Sequence, residues 1–339
     1  MNEQKLPTAL KPKDYATDQE VRWCPGCGDY AIVKGVQTML SQIQADVSKT
    51  VFVSGIGCAA RFPYYMATYG FHTIHGRAAT IATGVKLANP DLDVWIVGGD
   101  GDALSIGGNH LIHLLRRNVN CQYLMFNNEI YGLTKGQYSP TSRTGTHSPS
   151  SPDGSIEHPM HALSLALGAG ARFIARAGDI KIKELIETLK KSRLHEGTSF
   201  VEILQNCIVY NDGVFSHIMD KAHAKNAQIH LENGQPMLFG DENIKGLRLK
   251  SDCIELEVVT IGEDGVTMDD ILIHNERDKM MATMLAAMDA PDFPVAMGVL
   301  YCNPAPAYDL QMEDVMEKAT SNKESLQKLM NSGYTWTVD

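Results

Sequence analysis

Two groups of residues could do chemistry. Cys24-Pro25-Gly26-Cys27 sets two thiols three residues apart; Cys58 follows 31 residues later and Cys207 a further 149 on. Thiolates at i and i+3 can bind one metal centre from a tight turn, and Gly26 permits the bend such a turn needs. Four thiolates suit a zinc ion or an iron–sulfur cluster. A redox-active thiol pair is the competing reading. The lack of a second close cysteine pair argues against a zinc ribbon. The second group is Gly99-Asp100-Gly101, followed after 25 residues by Asn127-Asn128. A glycine-flanked Asp at a strand end lets the backbone approach a phosphate while its carboxylate reaches a hard cation. Mg²⁺ takes oxygen ligands and usually shares them with substrate phosphates. Asp100, the Asn128 amide oxygen and the main-chain carbonyl of Ile130 are oxygen donors of the right kind. Each half alone also reads as an ordinary strand-to-helix turn; the pairing at this spacing carries the signal.

The elements that must position these groups read as alternating strands and helices. Apolar runs at 50–54 (TVFVS), 93–97 (DVWIV), 122–126 (QYLMF), 171–177 (ARFIARA) and 199–204 (SFVEIL) predict strands covered on both faces. Helical patterns fall at 30–43, 80–87, 109–115 and 180–194. A helix beginning near Gly108 would aim its first N–H groups at a diphosphate. The alternation predicts an α/β fold: a doubly wound, mostly parallel sheet with helices on both faces, binding its ligand beyond the carboxyl ends of the strands. A Ser/Thr/Pro/Gly-rich loop at 138–155 follows the Asn-Asn turn and reads as a cover for the site. The expected organisation is a cofactor-binding domain over 1–230 and a less regular C-terminal extension over 231–339. In the latter, 247–260 reads as a strand pair, 279–288 as a Met-rich helix packing its methionines, and 295–301 as a strand.

The chain of 339 residues carries 30 basic and 40 acidic side chains, a net charge of -10. Such a balance excludes a basic nucleic-acid-binding face. Residues 241–292 hold 13 acidic and 5 basic side chains, so most of the excess lies outside the two groups. No apolar run reaches the roughly 20 residues of a membrane span. The polar first 18 residues lack the apolar stretch of a signal peptide. A cytoplasmic location is expected. Seven cysteines speak against a disulfide framework, and Cys121, Cys253 and Cys302 read as small buried apolar side chains.

The Gly-Asp-Gly and Asn-Asn spacing matches the thiamine-diphosphate motif. WCPGCG at 23–28, GIGC at 55–58, HGRA at 75–78, GDGD at 99–102 and NNEIYGLTKGQ at 127–137 stand in that order. Together they closely resemble the β subunit of 2-oxoacid:ferredoxin oxidoreductases over roughly residues 20–230, and YGLTKGQYSPT at 131–141 looks most like the 2-oxoglutarate branch. The resemblance implies thiamine diphosphate, Mg²⁺ and one [4Fe-4S] cluster. Carried over by motif, the cluster ligands are Cys24, Cys27, Cys58 and Cys207, and the Mg²⁺ ligands are Asp100, Asn128 and the Ile130 carbonyl. Gly57, Cys58, His75, Gly99, Gly101, Asp102, Tyr131, Gly132, Leu133 and Thr134 would line the cofactor. The implied reaction is oxidative decarboxylation of a 2-oxo acid to its coenzyme A ester with ferredoxin as acceptor. Pyruvate and other 2-oxo acids are the alternative substrates, and a non-catalytic electron-transfer subunit or a non-redox decarboxylase the alternative functions. Arg61 and Lys135 are candidates to read the distal carboxylate of 2-oxoglutarate, Arg143 a third that reads better as a solvent-exposed side chain. His75 is a candidate for cofactor contact or proton transfer. No Glu suited to the aminopyrimidine stands in the motifs. In the family it comes from an α (or fused γ–α) subunit, so a heteromer, a dimer of heterodimers, is expected.

Overall fold

The computed structural model describes residues 9–321, 325–336 and 338; the first eight residues of the polar N-terminal stretch lie outside them. The apolar runs form strands β1 (Thr50–Ser54), β3 (Asp93–Gly99), β4 (Cys121–Asn127), β5 (Phe173–Gly178) and β6 (Thr198–Leu204), each bounded within two residues of its expectation. They share one eight-stranded sheet with β2 (Tyr69–His72), β7 (Gln228–Leu231) and β8 (Val295–Cys302), in the order β2-β1-β3-β4-β6-β5-β8-β7. Neighbours pair in parallel except β8, which runs antiparallel to β5 and parallel to β7. The C-terminal part therefore joins the main sheet, and the boundary expected at 230 falls within β7. Nothing in 69–72 (YGFH) signals β2, whose four residues are all exposed at the sheet edge.

Alternate side chains of each strand face opposite layers, which is why the runs are continuously apolar. On one face Phe52, Trp95, Val97 and Val201 pack against α1 (Asp29–Gln42) and α6 (Ile182–Leu194) through Val36, Leu40, Leu185 and Leu189. On the other, Val53, Ile96, Met125 and Phe200 meet α2 (Ala78–Ala88), α4 (Gly108–Arg117), α5 (Ala162–Gly168) and α7 (Lys279–Ala287). Each such fully buried side chain contributes about 1.5–3 kcal/mol. A five-residue helix, α3 (Asp100–Leu104), intervenes between β3 and α4, so the first helical N–H groups beyond β3 are those of α3. The pair expected at 247–260 is present as Lys245–Leu249 and Leu256–Thr260, antiparallel, with Cys253 on the turn between them. Cys253 is exposed, not buried, because it sits on a polar turn outside both cores. Likewise Met280 points to solvent while Met281 and Met284 pack inward. Among the described residues no helix is long and apolar enough to cross a membrane.

One buried ion pair braces the carboxyl half of the sheet. Arg176 on β5 donates to Glu202 on β6 at 2.7 Å, both almost fully buried. The Asn127 amide at the end of β4 donates to the other Glu202 oxygen at 2.8 Å. The pair thus fixes the strand end that carries Asn127 and Asn128. Removing one partner of a buried pair leaves an uncompensated charge, which costs roughly 3–5 kcal/mol. Glu202→Leu should lower stability by that amount in urea denaturation, and adding Arg176→Met should recover much of it.

Candidate active site

The carboxyl ends of β1, β3 and β4 lie side by side, and the turns leaving them enclose a pocket of about 120 Å³. Gly57, Cys58, His75, Gly99, Asp100, Gly101, Asp102, Asn128, Tyr131, Gly132, Leu133 and Thr134 all line it, as does Ile130. Every residue assigned to the cofactor by motif is therefore on one wall or another. Ile56, Ala59, Ile106 and Phe126 line it too and were not singled out by sequence.

Asp100 sits at the end of β3, 2 % exposed. Its Oδ2 accepts from the Ser139 hydroxyl at 2.5 Å and the Thr141 hydroxyl at 2.6 Å. Burial pushes the carboxyl up to about 6, against the pull of those two hydroxyls. A cation would supply the missing counter-charge. Asn128 points its Oδ1 at the Ile130 N–H, 3.2 Å away. Asp100, Asn128 and the Ile130 backbone together offer hard oxygen donors that fit Mg²⁺. Asp102 has a different task. Its Oδ1 accepts from the backbone N–H groups of Gly76 (2.8 Å) and Ile56 (3.2 Å), tying the turn after β1 and the one holding His75 to α3. Burial raises its pKa. Gly101 must lack a side chain: a Cβ there would stand 2.1 Å from the Tyr131 ring, whose hydroxyl donates to the Gly101 carbonyl at 3.2 Å.

The hydroxyl-rich loop expected to cover this site supports Asp100 but lines no wall of the pocket. Ser139, Thr141 and Ser142 are buried. Ser139 and Thr141 hold Asp100, while the Ser142 hydroxyl donates to the Glu129 carbonyl and accepts from the Ser139 N–H. The loop therefore stitches the Asp100 turn to the Asn-Asn turn.

A second cavity of about 180 Å³ is lined by Cys24, Cys27, Cys58 and Cys207. Gly26 takes φ +85°, the bend expected of the Cys-Pro-Gly-Cys turn, and the Cys27 N–H closes that turn on the Cys24 carbonyl at 3.0 Å. The Trp23 indole donates to the Cys58 carbonyl at 2.8 Å, joining the first cysteine segment to the second. A Cβ on Gly132 would lie 3.4 Å from Cys207 Sγ and 3.7 Å from Cys58 Sγ, so both sulfurs stand beside this glycine. Burial and the neighbouring Asp29 raise the Cys58 thiol to about 11 and the Cys27 thiol further. Asp29 is itself buried, neither carboxyl oxygen has a nitrogen or oxygen donor, and burial lifts it to about 7. Cys24 is exposed and Cys27, Cys58 and Cys207 are half-buried; four thiols gathered there beside a buried carboxyl fit an iron–sulfur cluster. Among the described residues no three His, Cys, Asp or Glu side chains stand close enough for a single ion; a four-iron cluster holds its thiolates further apart than one ion does. Cys121 is buried inside β4, and Cys302 lies on β8 near His195.

Arg61 and Lys135 line the cysteine cavity, not the Asp100 pocket, and Arg61 donates to the Arg22 carbonyl at 3.1 Å. Arg143 lines neither: it pairs with Glu129 at 3.3 Å and meets His217 at 3.0 Å. It is paired on one side while its side chain is still 43 % exposed, in keeping with the solvent-exposed reading. Glu129, at φ 52°, turns from the pocket toward that pair, and burial lifts it to about 7. The only carboxylates on the pocket wall among the described residues are Asp100 and Asp102. Gln205, which sequence reasoning passed over, is buried between the two cavities, its amide in reach of both Asn128 and Cys27.

Comparison with known proteins agrees with this geometry. A family model described as the C-terminal, thiamine pyrophosphate-binding domain of thiamine pyrophosphate enzymes matches residues 55–203. The chain is 46 % identical over 344 residues to the 2-oxoglutarate oxidoreductase subunit KorB of Mycobacterium tuberculosis, covering 98 % of this chain and 91 % of that one. It is 44 % identical over 198 residues to the β subunit of 2-oxoacid:ferredoxin oxidoreductase 1 of Aeropyrum pernix, covering 58 % of this chain and 62 % of that one. The solved 2-oxoglutarate:ferredoxin oxidoreductase from Magnetococcus marinus, with 2-oxoglutarate, coenzyme A and succinyl-CoA bound, matches with a TM-score of 0.76 at 33 % identity over 97 % of both chains. With a relative this similar along nearly its whole length, a thiamine pyrophosphate domain at its centre and the motif residues gathered at one sheet edge, the chain belongs to the family of 2-oxoacid:ferredoxin oxidoreductase β subunits.

Proposed function

We propose that this chain is the β subunit of a 2-oxoglutarate:ferredoxin oxidoreductase. With an α (or fused γ–α) subunit it converts 2-oxoglutarate and coenzyme A to succinyl-CoA and CO₂, and two electrons leave singly for ferredoxin. The observation that carries this reading is a shared wall: Cys58, Asn128, Gly132 and Leu133 line both the Asp100 pocket and the cysteine cavity. A decarboxylation site and an electron acceptor are thereby built into one chain. The 2-oxoglutarate branch is supported by the relatives named above, one of which has 2-oxoglutarate and succinyl-CoA bound.

When bound, thiamine diphosphate supplies the electron sink that lets CO₂ leave a 2-oxo acid, and a [4Fe-4S] cluster accepts the electrons one at a time. The chain's own residues bind and orient. Asp100, Asn128 and the Ile130 carbonyl would hold Mg²⁺, and Gly99 and Gly101 would allow close backbone approach to a phosphate. Asp102 fixes Ile56 and Gly76, and so the wall that carries Gly57 and His75. Tyr131, Gly132, Leu133 and Thr134 also line the pocket, and Cys24, Cys27, Cys58 and Cys207 would ligate the cluster. Arg61 and Lys135 bring positive charge beside the shared wall, where a dianionic substrate needs it. Each of the pocket's two carboxylates has a task, Asp100 Oδ2 accepting from hydroxyls and Asp102 Oδ1 from backbone N–H groups, and Asp102 Oδ2 is buried without a partner. This supports a partner subunit as the source of the carboxylate that activates the aminopyrimidine. The assembly is a dimer of heterodimers in the cytoplasm.

Purified anaerobically with its partner subunit, the protein should contain iron, sulfide and thiamine diphosphate, and should reduce a viologen only with 2-oxoglutarate and coenzyme A together. Zinc in place of iron, or equal turnover of pyruvate, would contradict the reading. Asp100→Ala should abolish both cofactor retention and turnover while leaving the iron content intact. In Gly101→Ala the new methyl displaces the Tyr131 ring, and thiamine diphosphate affinity should fall by roughly tenfold or more in a fluorescence titration, about 1.4 kcal/mol or more. Unchanged affinity would remove Tyr131 from the pocket wall.

A further inference from the structure

Between the two cavities runs a chain of amides whose direction is fixed at both ends. The Ile130 N–H, which can only donate, points to Asn128 Oδ1 at 3.2 Å. The Asn128 Nδ2 donates to Gln205 Oε1 at 2.7 Å. The Gln205 Nε2 donates to the Asn206 carbonyl, which can only accept, at 2.6 Å, and to Cys27 Sγ at 3.3 Å. A backbone donor at one end and a backbone acceptor at the other leave neither amide free to flip. Gln205 itself is 1 % exposed, while its partners Asn128, Asn206 and Cys27 are half-buried.

We propose that Gln205 is the positioning residue that couples the two sites. The inference rests on the function proposed above. Toward the Asp100 pocket, Gln205 holds Asn128 with its oxygen on the pocket side of the amide. Groups that orient a metal ligand from behind set its affinity: their loss typically costs roughly 10–100-fold in metal binding. Toward the cysteine cavity, Gln205 gives an N–H···S bond to Cys27. Hydrogen bonds to cluster sulfurs favour the reduced, more negative state and so raise the reduction potential. A single buried side chain thus tunes electron acceptance on one side and cofactor retention on the other. The Cys58 wall brings the sites together but contacts them through sulfur and backbone; Gln205 joins them by hydrogen bonds to a proposed ligand of each.

Two variants separate the two halves. Gln205→Leu removes both bonds at similar volume. Gln205→Glu keeps an oxygen for Asn128 but puts an acceptor where the N–H faced Cys27. Both are measured as the holoenzyme with its partner subunit, after iron analysis shows a loaded cluster. The readouts are the cluster midpoint by EPR-monitored redox titration and the Mg²⁺ concentration that half-saturates thiamine diphosphate retention. Both variants should shift the midpoint to more negative potential. Gln205→Leu alone should raise the Mg²⁺ requirement, by roughly 10–100-fold. If Gln205→Leu fails to load a cluster, the midpoint of Gln205→Glu decides the sulfur half alone. A midpoint equal to wild type in a loaded variant, or a Mg²⁺ requirement unchanged in Gln205→Leu, would overturn the coupling role. A wild-type holoenzyme without iron or thiamine diphosphate would instead overturn the functional reading beneath it.

Discussion

The structure depends on in-register parallel pairing of four neighbouring strands. Ser54 lies opposite Val97, Gly99 opposite Phe126, and Asn127 opposite Leu204. Parallel strands end at one edge, so the turns that follow them must land together. Those turns are Gly55 to Cys58, Asp100 to Asp102, Asn128 to Gly132 and Gln205 to Cys207. A register slip of one residue in any pair would turn its side chains to the opposite layer and misplace a donor. The close packing of Phe52, Trp95, Val97 and Val201 against one helical layer and of Val53, Ile96, Met125 and Phe200 against the other resists such a slip. The buried Arg176–Glu202 pair, reaching Asn127, adds a polar lock at the same edge.

On that edge the two cavities divide the work by the hardness of their donors. The Asp100 pocket offers carboxylate, amide and carbonyl oxygens; the adjoining cavity offers sulfurs. The shared wall of Cys58, Asn128, Gly132 and Leu133 keeps them adjacent without mixing the donor sets. Charge is arranged to match. The acidic stretch at 241–292 contributes nothing to either cavity wall, whereas Arg61 and Lys135 stand at the cysteine cavity. A chain of net charge -10 can therefore still receive a dianionic substrate.

Much of this was legible in the sequence, for physical reasons. Continuous apolar runs and amphipathic helices have short periods, so β1, β3, β4, β5 and β6 and helices α1, α2, α4, α6 and α7 could be read to within two residues, whereas the short α3 and α5 were missed. The pocket residues were legible because the chemistry demands fixed types at fixed spacing, as in Gly-Asp-Gly with Asn-Asn. What could not be read is long-range and aperiodic. The edge strand β2 has no buried face to pattern it, β7 was missed, and β8, read as a strand at 295–301, could not be assigned to this sheet because the acidic hairpin separates it from the other strands. Ser139 and Thr141 looked like loop residues, because a hydroxyl's partner 39 or 41 residues away leaves no local mark. Gln205 was hidden further still, since its amide meets Asn128 across 77 residues and Cys27 across 178.

The central claim is that one chain holds a decarboxylation site and its electron acceptor side by side. It is tested most directly by EPR on the anaerobic complex with its partner subunit, frozen after mixing with 2-oxoglutarate. The account predicts a reduced-cluster signal that needs bound thiamine diphosphate and disappears in Asp100→Ala. A fully loaded enzyme whose cluster stays oxidised with 2-oxoglutarate and coenzyme A present would contradict it.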